Sequence, residues 1–203
     1  MPALRQRVWT IEEVDQLVEA RPGYSPRYEL IDGELLVTPT PSHRHQRIVF
    51  ELAVLVREYV NRHRLGETVI SPSTVNLAPQ TRVEPDIYVI PVVDGRMPRW
   101  KDPVTQLLLA VEVISPSSAR HDRLTKRRFF QRQGVPEYWV VDGEAEAFEV
   151  WRPGDDRAAL IDDHLVWQPR NTVPPFELDV RTFFASVADE DDEDPPHLGD
   201  ADA

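Results

Sequence analysis

Residues 106–114 read QLLLAVEVI, and the organisation of the chain follows from them. Every position but Gln106 and Glu112 is apolar, so the run has no polar face. A half-buried strand alternates; an unbroken apolar run belongs to a central strand covered on both faces, which calls for helices above and below the sheet. Both are close by. Upstream, between about Ser42 and Arg64, apolar residues fall at Ile48, Leu52, Leu55, Val56, Tyr59 and Val60, the spacing of a helix with one buried stripe, closed by Gly66. Downstream, Ser117 or Ser118 can cap a second helix that runs to about Gln133 and stops at Gly134 and Pro136. The strand EYWVVD (137–142) then returns, and strand-helix-strand implies a right-handed parallel crossover.

Working outward, ETVISPSTVNLA (67–78) holds one or two short strands broken at Pro72. VEPDIYVIPVV (83–93) is another, with Pro85 confined to its start or to an edge. Near the N-terminus, Thr10 and Glu13 form a capping box that opens a short helix, and RYELIDGELLV (27–37) is two strands turning at Asp32-Gly33. Toward the C-terminus, AFEVWRP and residues 158–167 form a hairpin around Pro153-Gly154-Asp155. The expected architecture is α/β: a mixed β-sheet flanked by helices, with an αβββαβ core and added β-hairpins at both ends.

At 203 residues one domain is the default, expected over 1–187. The formal charge of −12 is unevenly spread. Residues 188–203 carry eight Asp and Glu and no Lys or Arg, the composition of a solvated, disordered tail. Without those eight the rest stands at −4, too mild to argue against an anionic partner. Lack of Cys excludes disulfides, thiolate zinc sites and a cysteine nucleophile. No apolar run reaches the 18 or so residues of a membrane helix, and MPALRQRVWT lacks a signal-peptide core. A cytoplasmic protein without membrane contact is expected.

Glu112 interrupts the apolar strand with a carboxylate, which is costly there unless it is paired, protonated or bound to a cation. The plain alternatives are a strand end that has reached solvent or a structural ion pair. Asp86, after Pro85, likewise enters an apolar strand; if the two strands are neighbours, the acids lie side by side. Two such carboxylates repel unless a cation sits between them, and all-oxygen ligation suits Mg²⁺ or Mn²⁺. In the next helix Asp122 and Lys126 share a face four residues apart, either as an exposed ion pair or with the lysine turned back over the acids. That helix also carries Arg120, Arg123, Arg127, Arg128 and Arg132, and the long helix carries Arg44, Arg47, Arg57, Arg62 and Arg64. These are either solvated faces or a local positive groove for a phosphate backbone.

Other chemistries have less support. His43 and His45 lack the further ligands of a metal site, and His45 either points into a cleft or caps the helix. Ser115, Ser117, His121 and Asp122 contain the letters of a triad without a nucleophile elbow. No glycine-rich nucleotide cradle is present.

Taken together, RYELIDGEL (27–35), PSHRHQRIVFELAVLV (41–56), VEPDIYVI (83–90), LLLAVEVISPSSARHDRLTKRRFFQRQGVPEYWVVD (107–142) and FEVWRP (148–153) resemble the Uma-type restriction endonuclease family of the PD-(D/E)xK nuclease superfamily. The likeness spans roughly Trp9 to Val180, and the combination EVISPSS…D…K…GVPEYWVVD is its specific part. It implies a restriction-endonuclease-like fold and Mg²⁺-dependent hydrolysis of DNA phosphodiester bonds. The metal would be held by Asp86, Glu112 and the Val113 carbonyl, and Mn²⁺ could serve in place of Mg²⁺. In E-x-K the lysine lies two residues after the acid; Ile114 stands there, so the resemblance moves that role to Lys126. It also implies a further acid from the N-terminal hairpin, Glu34 in preference to Glu29. A homodimer would let such an enzyme cut both strands. The competing expectations are a non-catalytic nucleic-acid-binding or scaffold protein that retains the fold, and a hydrolase of smaller phosphoesters.

Overall fold

The computed structural model describes residues 7–188 except 21, 22, 24, 100 and 101. Beyond Ala188 the expected acidic tail lies outside the described residues. The apolar run forms β5 (Leu109–Val113), buried at every position. It pairs antiparallel with β4 (Ile87–Pro91) and parallel with β6 (Glu137–Asp142). With β3 (Gly66–Ile70), β7 (Ala147–Trp151) and β8 (Ala159–Ile161) these make a six-stranded mixed sheet in the order β3-β4-β5-β6-β7-β8.

Strand periodicity divides β5 between two layers. Leu109, Val111 and Val113 face α2 (His43–Arg62), whose stripe includes Ile48, Leu52, Val56 and Val60. That layer is completed by Trp139, Phe148, Trp167, Phe176, Phe183 and Phe184, whose rings pack edge-on or tilted apart from the stacked pair Trp139 and Phe176. Trp167 and Phe176 come from β9 (His164–Trp167) and β10 (Phe176–Asp179), an antiparallel pair outside the main sheet, and the two phenylalanines from α4 (Val180–Ser186). Ala110 and Glu112 point the other way. There Tyr88, Tyr138 and Val140 meet Phe129 and Phe130 of α3 (Arg127–Arg132), and Ile31 and Leu36 of the hairpin β1 (Arg27–Ile31) and β2 (Glu34–Thr38).

The αβββαβ core runs from α2 through β3, β4, β5 and α3 to β6 as expected, and Thr10 and Glu13 exchange the hydrogen bonds of a capping box ahead of α1 (Ile11–Ala20). Some boundaries differ. The helix after β5 starts in a turn where Ser115 and Ser118, not Ser117, cap each other's backbone, and it passes through a π-helical turn, His121–Lys126, into α3. The second strand of the C-terminal region, β9, pairs with β10 and not with β7 or β8.

Gly66 does not close α2, which ends at Arg62 with left-handed Arg64 after it. It opens β3, where a Cβ would stand 1.8 Å from the carbonyl oxygen of Ile90 on β4. Any side chain there has to push the two strands apart. Gly66→Ala should therefore lower unfolding stability by on the order of 3 kcal/mol or more, measurable by urea denaturation.

Candidate active site

Register assembles the site. Ile87 pairs with Val111, so one further step puts Asp86 across from Glu112 on the face that carries Tyr88 and Ala110. A second pairing brings in the hairpin. Leu30 and Arg82 exchange backbone hydrogen bonds of 2.8 and 2.9 Å, which lays β1 beside the segment leading into Asp86. Arg27 and Glu29, two residues apart on one face of β1, then point at the same spot. The π-helical turn supplies Asp122 and Lys126 from above.

Four carboxylates converge there, those of Glu29, Asp86, Glu112 and Asp122, and all four residues are buried. Lys126, itself 1% exposed, stands among three of them, with Nζ 2.8 Å from Glu29 Oε2, 2.9 Å from Glu112 Oε1 and 3.3 Å from Asp122 Oδ1. Asp86 is held elsewhere. Arg27 Nη1 donates to its Oδ1 at 2.9 Å, the Val113 N–H donates to its Oδ2 at 2.9 Å, and His45 Nε2 lies 3.2 Å from the same Oδ2. Arg27 Nη2 lies 3.9 Å from Glu112 Oε2, and this buried oxygen has no hydrogen-bond partner.

The hairpin acid in the cluster is Glu29, not Glu34. Both lie on the same face of the hairpin, but Glu34 pairs with Ile31 beside the turn, roughly two strand steps or 7 Å beyond Glu29. It is half-exposed, 3.9 Å from His121 Nδ1. Asp86, Glu112 and Lys126 are brought together, with Val113 next to Glu112 on β5. Arg27 is the member with no precedent in the sequence analysis. The signal for it was the i, i+2 spacing of Arg27 and Glu29 in an otherwise apolar strand.

The charges do not balance. If every carboxylate is ionised, four negative charges face the permanent positive charges of Lys126 and Arg27. Burial raises the pKa of Glu112 most, and Asp86, Asp122 and Glu29 add to the effect, so that Lys126 cannot bring it back. Burial likewise raises Asp122, with Lys126 opposing. For Asp86 burial is again the largest effect, but the hydrogen bond from His45 and the charges of Arg27, His45 and Lys126 together outweigh it and hold the group below its ordinary value. Burial would neutralise Lys126, yet Glu112, Glu29 and Asp122 keep it firmly protonated.

A cleft of about 580 Å³ opens over this cluster, lined by Arg27, the Thr38–Gln46 approach to α2 including His45, Asp86, Val113 and the Ser115–Ser118 turn. Glu112 lies behind that lining, fully buried. Most basic residues of the helix after β5 are engaged inside the protein. Arg123 pairs with Asp142 and Glu149, Arg132 pairs with Asp32, and Arg127 lies over the Trp151 ring and hydrogen-bonds Gln131.

In charge and donor chemistry the site suits a hard divalent cation: carboxylate oxygens, three of them without a hydrogen bond (Glu29 Oε2, Glu112 Oε2 and Asp122 Oδ1), and two positive charges too few when all four acids are ionised. Among the described residues no group of three or more His and acidic side chains is disposed to hold a metal ion unaided. Mg²⁺ keeps several waters and takes only one or two carboxylates, so it does not need such a group.

The family model Uma2, described as "Putative restriction endonuclease", matches residues 11–181. A crystal structure of a "putative nuclease belonging to DUF820" from Anabaena variabilis ATCC 29413 superposes with a TM-score of 0.69 at 18% identity, covering 86% of this chain and 98% of that one. No curated protein matches.

The raised groups carry a sign. An acid whose folded pKa lies above its unfolded value stabilises the fold in its protonated form. That contribution is complete below about pH 4 and is lost as pH rises toward the folded value. Glu112 and Asp122 therefore lower stability on the way to neutral pH. Glu112→Gln, which keeps an oxygen for Lys126, should raise neutral-pH stability in a chelator by about 1 kcal/mol or more and flatten the decline above pH 4. Thermal melts across pH with EDTA present will show it.

Proposed function

We propose that this chain, which belongs to the Uma2 family, is a Mg²⁺-dependent DNA endonuclease, with Mn²⁺ able to substitute, that hydrolyses phosphodiester bonds at the floor of the cleft over Asp86. The observation that supports this most is the register-matched pair Asp86 and Glu112, buried together with an unbonded Glu112 oxygen and more negative charge than the protein neutralises. These two carboxylates would hold the metal, with the Val113 carbonyl as a further oxygen. A divalent ion bound there would supply a water of lowered pKa and neutralise charge on the attacked phosphate.

The chain's own residues do the rest. The Val113 N–H and His45 fix the direction of the Asp86 carboxylate before substrate arrives. Glu29 and Asp122 fix Lys126, and Lys126 fixes Glu112. Lys126 is buried beneath the acids rather than lining the cleft, so its primary work is to hold the Glu112 carboxyl in place. Arg27 and His45, both in contact with Asp86, are the cleft-lining side chains that a phosphodiester would meet beside it. A DNA substrate goes with a cytoplasmic location, and cutting both strands of a duplex calls for two copies of the site, as in a homodimer.

A non-catalytic nucleic-acid-binding protein is the second reading, favoured by Arg27, which already reaches both carboxylates. Nicking of supercoiled plasmid separates the two. With Mg²⁺ or Mn²⁺ the wild type should nick, EDTA should stop it, and Asp86→Asn should lower the rate by roughly a thousandfold, as expected for losing several kcal/mol of transition-state stabilisation. Binding without cleavage in every metal tried would favour the second reading. Nicking that persists in Asp86→Asn and in Glu112→Gln would remove the assigned site.

A further inference from the structure

We propose that Arg27 is a built-in counter-cation standing in the metal's place between Asp86 and Glu112, and that a divalent ion binds there only by displacing it. This inference rests on the metal-dependent reading above and adds the step by which the site is filled.

The two cations of the cluster are held differently. Lys126 has three carboxylates within 3.3 Å, has 2% of its side chain exposed, and lies behind the cleft. Arg27 is 15% exposed, lines the cleft, and reaches every acid it faces more loosely except one. Its Nη1 makes 2.9 Å hydrogen bonds to Asp86 Oδ1 and to the Glu84 carbonyl. Its Nη2 is 3.9 Å from Glu112 Oε2 and its Nε is 3.7 Å from Glu29 Oε2, and that buried Nε makes no hydrogen bond.

A guanidinium with a purely architectural role usually engages a carboxylate through both arms of its planar fork. Arg27 instead lies across two carboxylates, bonded to one and only electrostatically near the other. It supplies one positive charge where the deficit calls for more. It also stands between the solvent-facing lining and Glu112, so an ion taking both acids has to replace it. Arg27 has somewhere to go, because its side chain already lines the open cleft. Lys126 has no such route.

The protein therefore carries its own competitor. The apparent metal affinity is reduced by the fraction of molecules in which Arg27 is closed over the acids, and removing the guanidinium removes that reduction. An architectural arginine predicts the opposite, because its loss would loosen Asp86 and weaken the metal site.

The test is a Mn²⁺ titration of the full chain by isothermal calorimetry, without DNA, on wild type, Arg27→Gln and Arg27→Lys, with melting temperatures in EDTA and in saturating Mn²⁺. Arg27→Gln should bind Mn²⁺ more tightly by roughly five- to a hundredfold, the usual range for coupled binding events. It should also melt lower in EDTA and gain more from Mn²⁺ than wild type does. Arg27→Lys keeps a charge but cannot span both acids, and should fall between the two. If Arg27→Gln does not fold in EDTA, Arg27→Lys decides. Equal or weaker Mn²⁺ affinity in the folded variants, with wild type binding, overturns the displacement and leaves the metal-dependent reading standing. Failure of all three proteins to bind Mn²⁺ overturns both.

Discussion

A lysine ammonium removed from water needs anions around it, and Lys126 has three within 3.3 Å. The rest of the site is arranged around that requirement. The hairpin contributes Glu29, the central strand Glu112, and the π-helical turn both Asp122 and the lysine itself. Three elements distant in sequence are tied at one buried point, so the charge cluster fixes how the hairpin and the helix sit on the sheet. Removing the lysine from such a cluster leaves buried carboxylates uncompensated. Ile114, two residues after Glu112, faces the apolar layer, and the lysine that meets Glu112 comes from the next helix. The π-helical turn sets where along that helix the ammonium reaches the strand, and wide turns of this kind are frequent at functional sites.

What the sequence made legible was set by contradiction. A carboxylate in LLLAVEVI or DIYVI is costly unless it is paired, protonated or bound to a cation, so Glu112 and Asp86 stood out, and β4 and β5 prove to be neighbours. The central strand, the two flanking helices and the parallel return to β6 were readable from periodicity for the same reason: buried faces demand apolar residues. The choice between Glu29 and Glu34 was not readable. Both alternate onto the same face of the hairpin, and only the Leu30–Arg82 pairing, fifty-two residues apart in the chain, decides which one meets Lys126. No local pattern encodes such a contact. Gly66 was misread for a related reason. A glycine after a helix looks like a stop signal, whereas its function is to let Ile90 approach from a strand more than twenty residues downstream.

The basic helices show the limit of counting charges. Arg123, Arg127 and Arg132 form a positive run on paper, but each is engaged across the fold, with Asp142 and Glu149, Gln131 and Trp151, and Asp32 respectively. Their partners sit on β6, β7, the hairpin turn and, for Gln131, the same helix. Arg120 and Arg128 stay exposed on that helix, and Arg27 lines the cleft beside Asp86.

The stability of the fold and the chemistry of its site pull against each other at Glu112. A glutamine there, with the same shape and no charge, would leave the sheet better off, because the lysine and arginine would then face three acids rather than four. That the strand carries an acid at its most buried position means the protein tolerates an electrostatic deficit at rest. Arg27 reduces the deficit without closing it: it bonds Asp86 and leaves Glu112 Oε2 bare. A complete neutralisation, with a second lysine or a bidentate arginine, would give a more stable protein whose acids had no remaining appetite for a cation. The incomplete neutralisation comes from one guanidinium placed 2.9 Å from one carboxylate and 3.9 Å from the other.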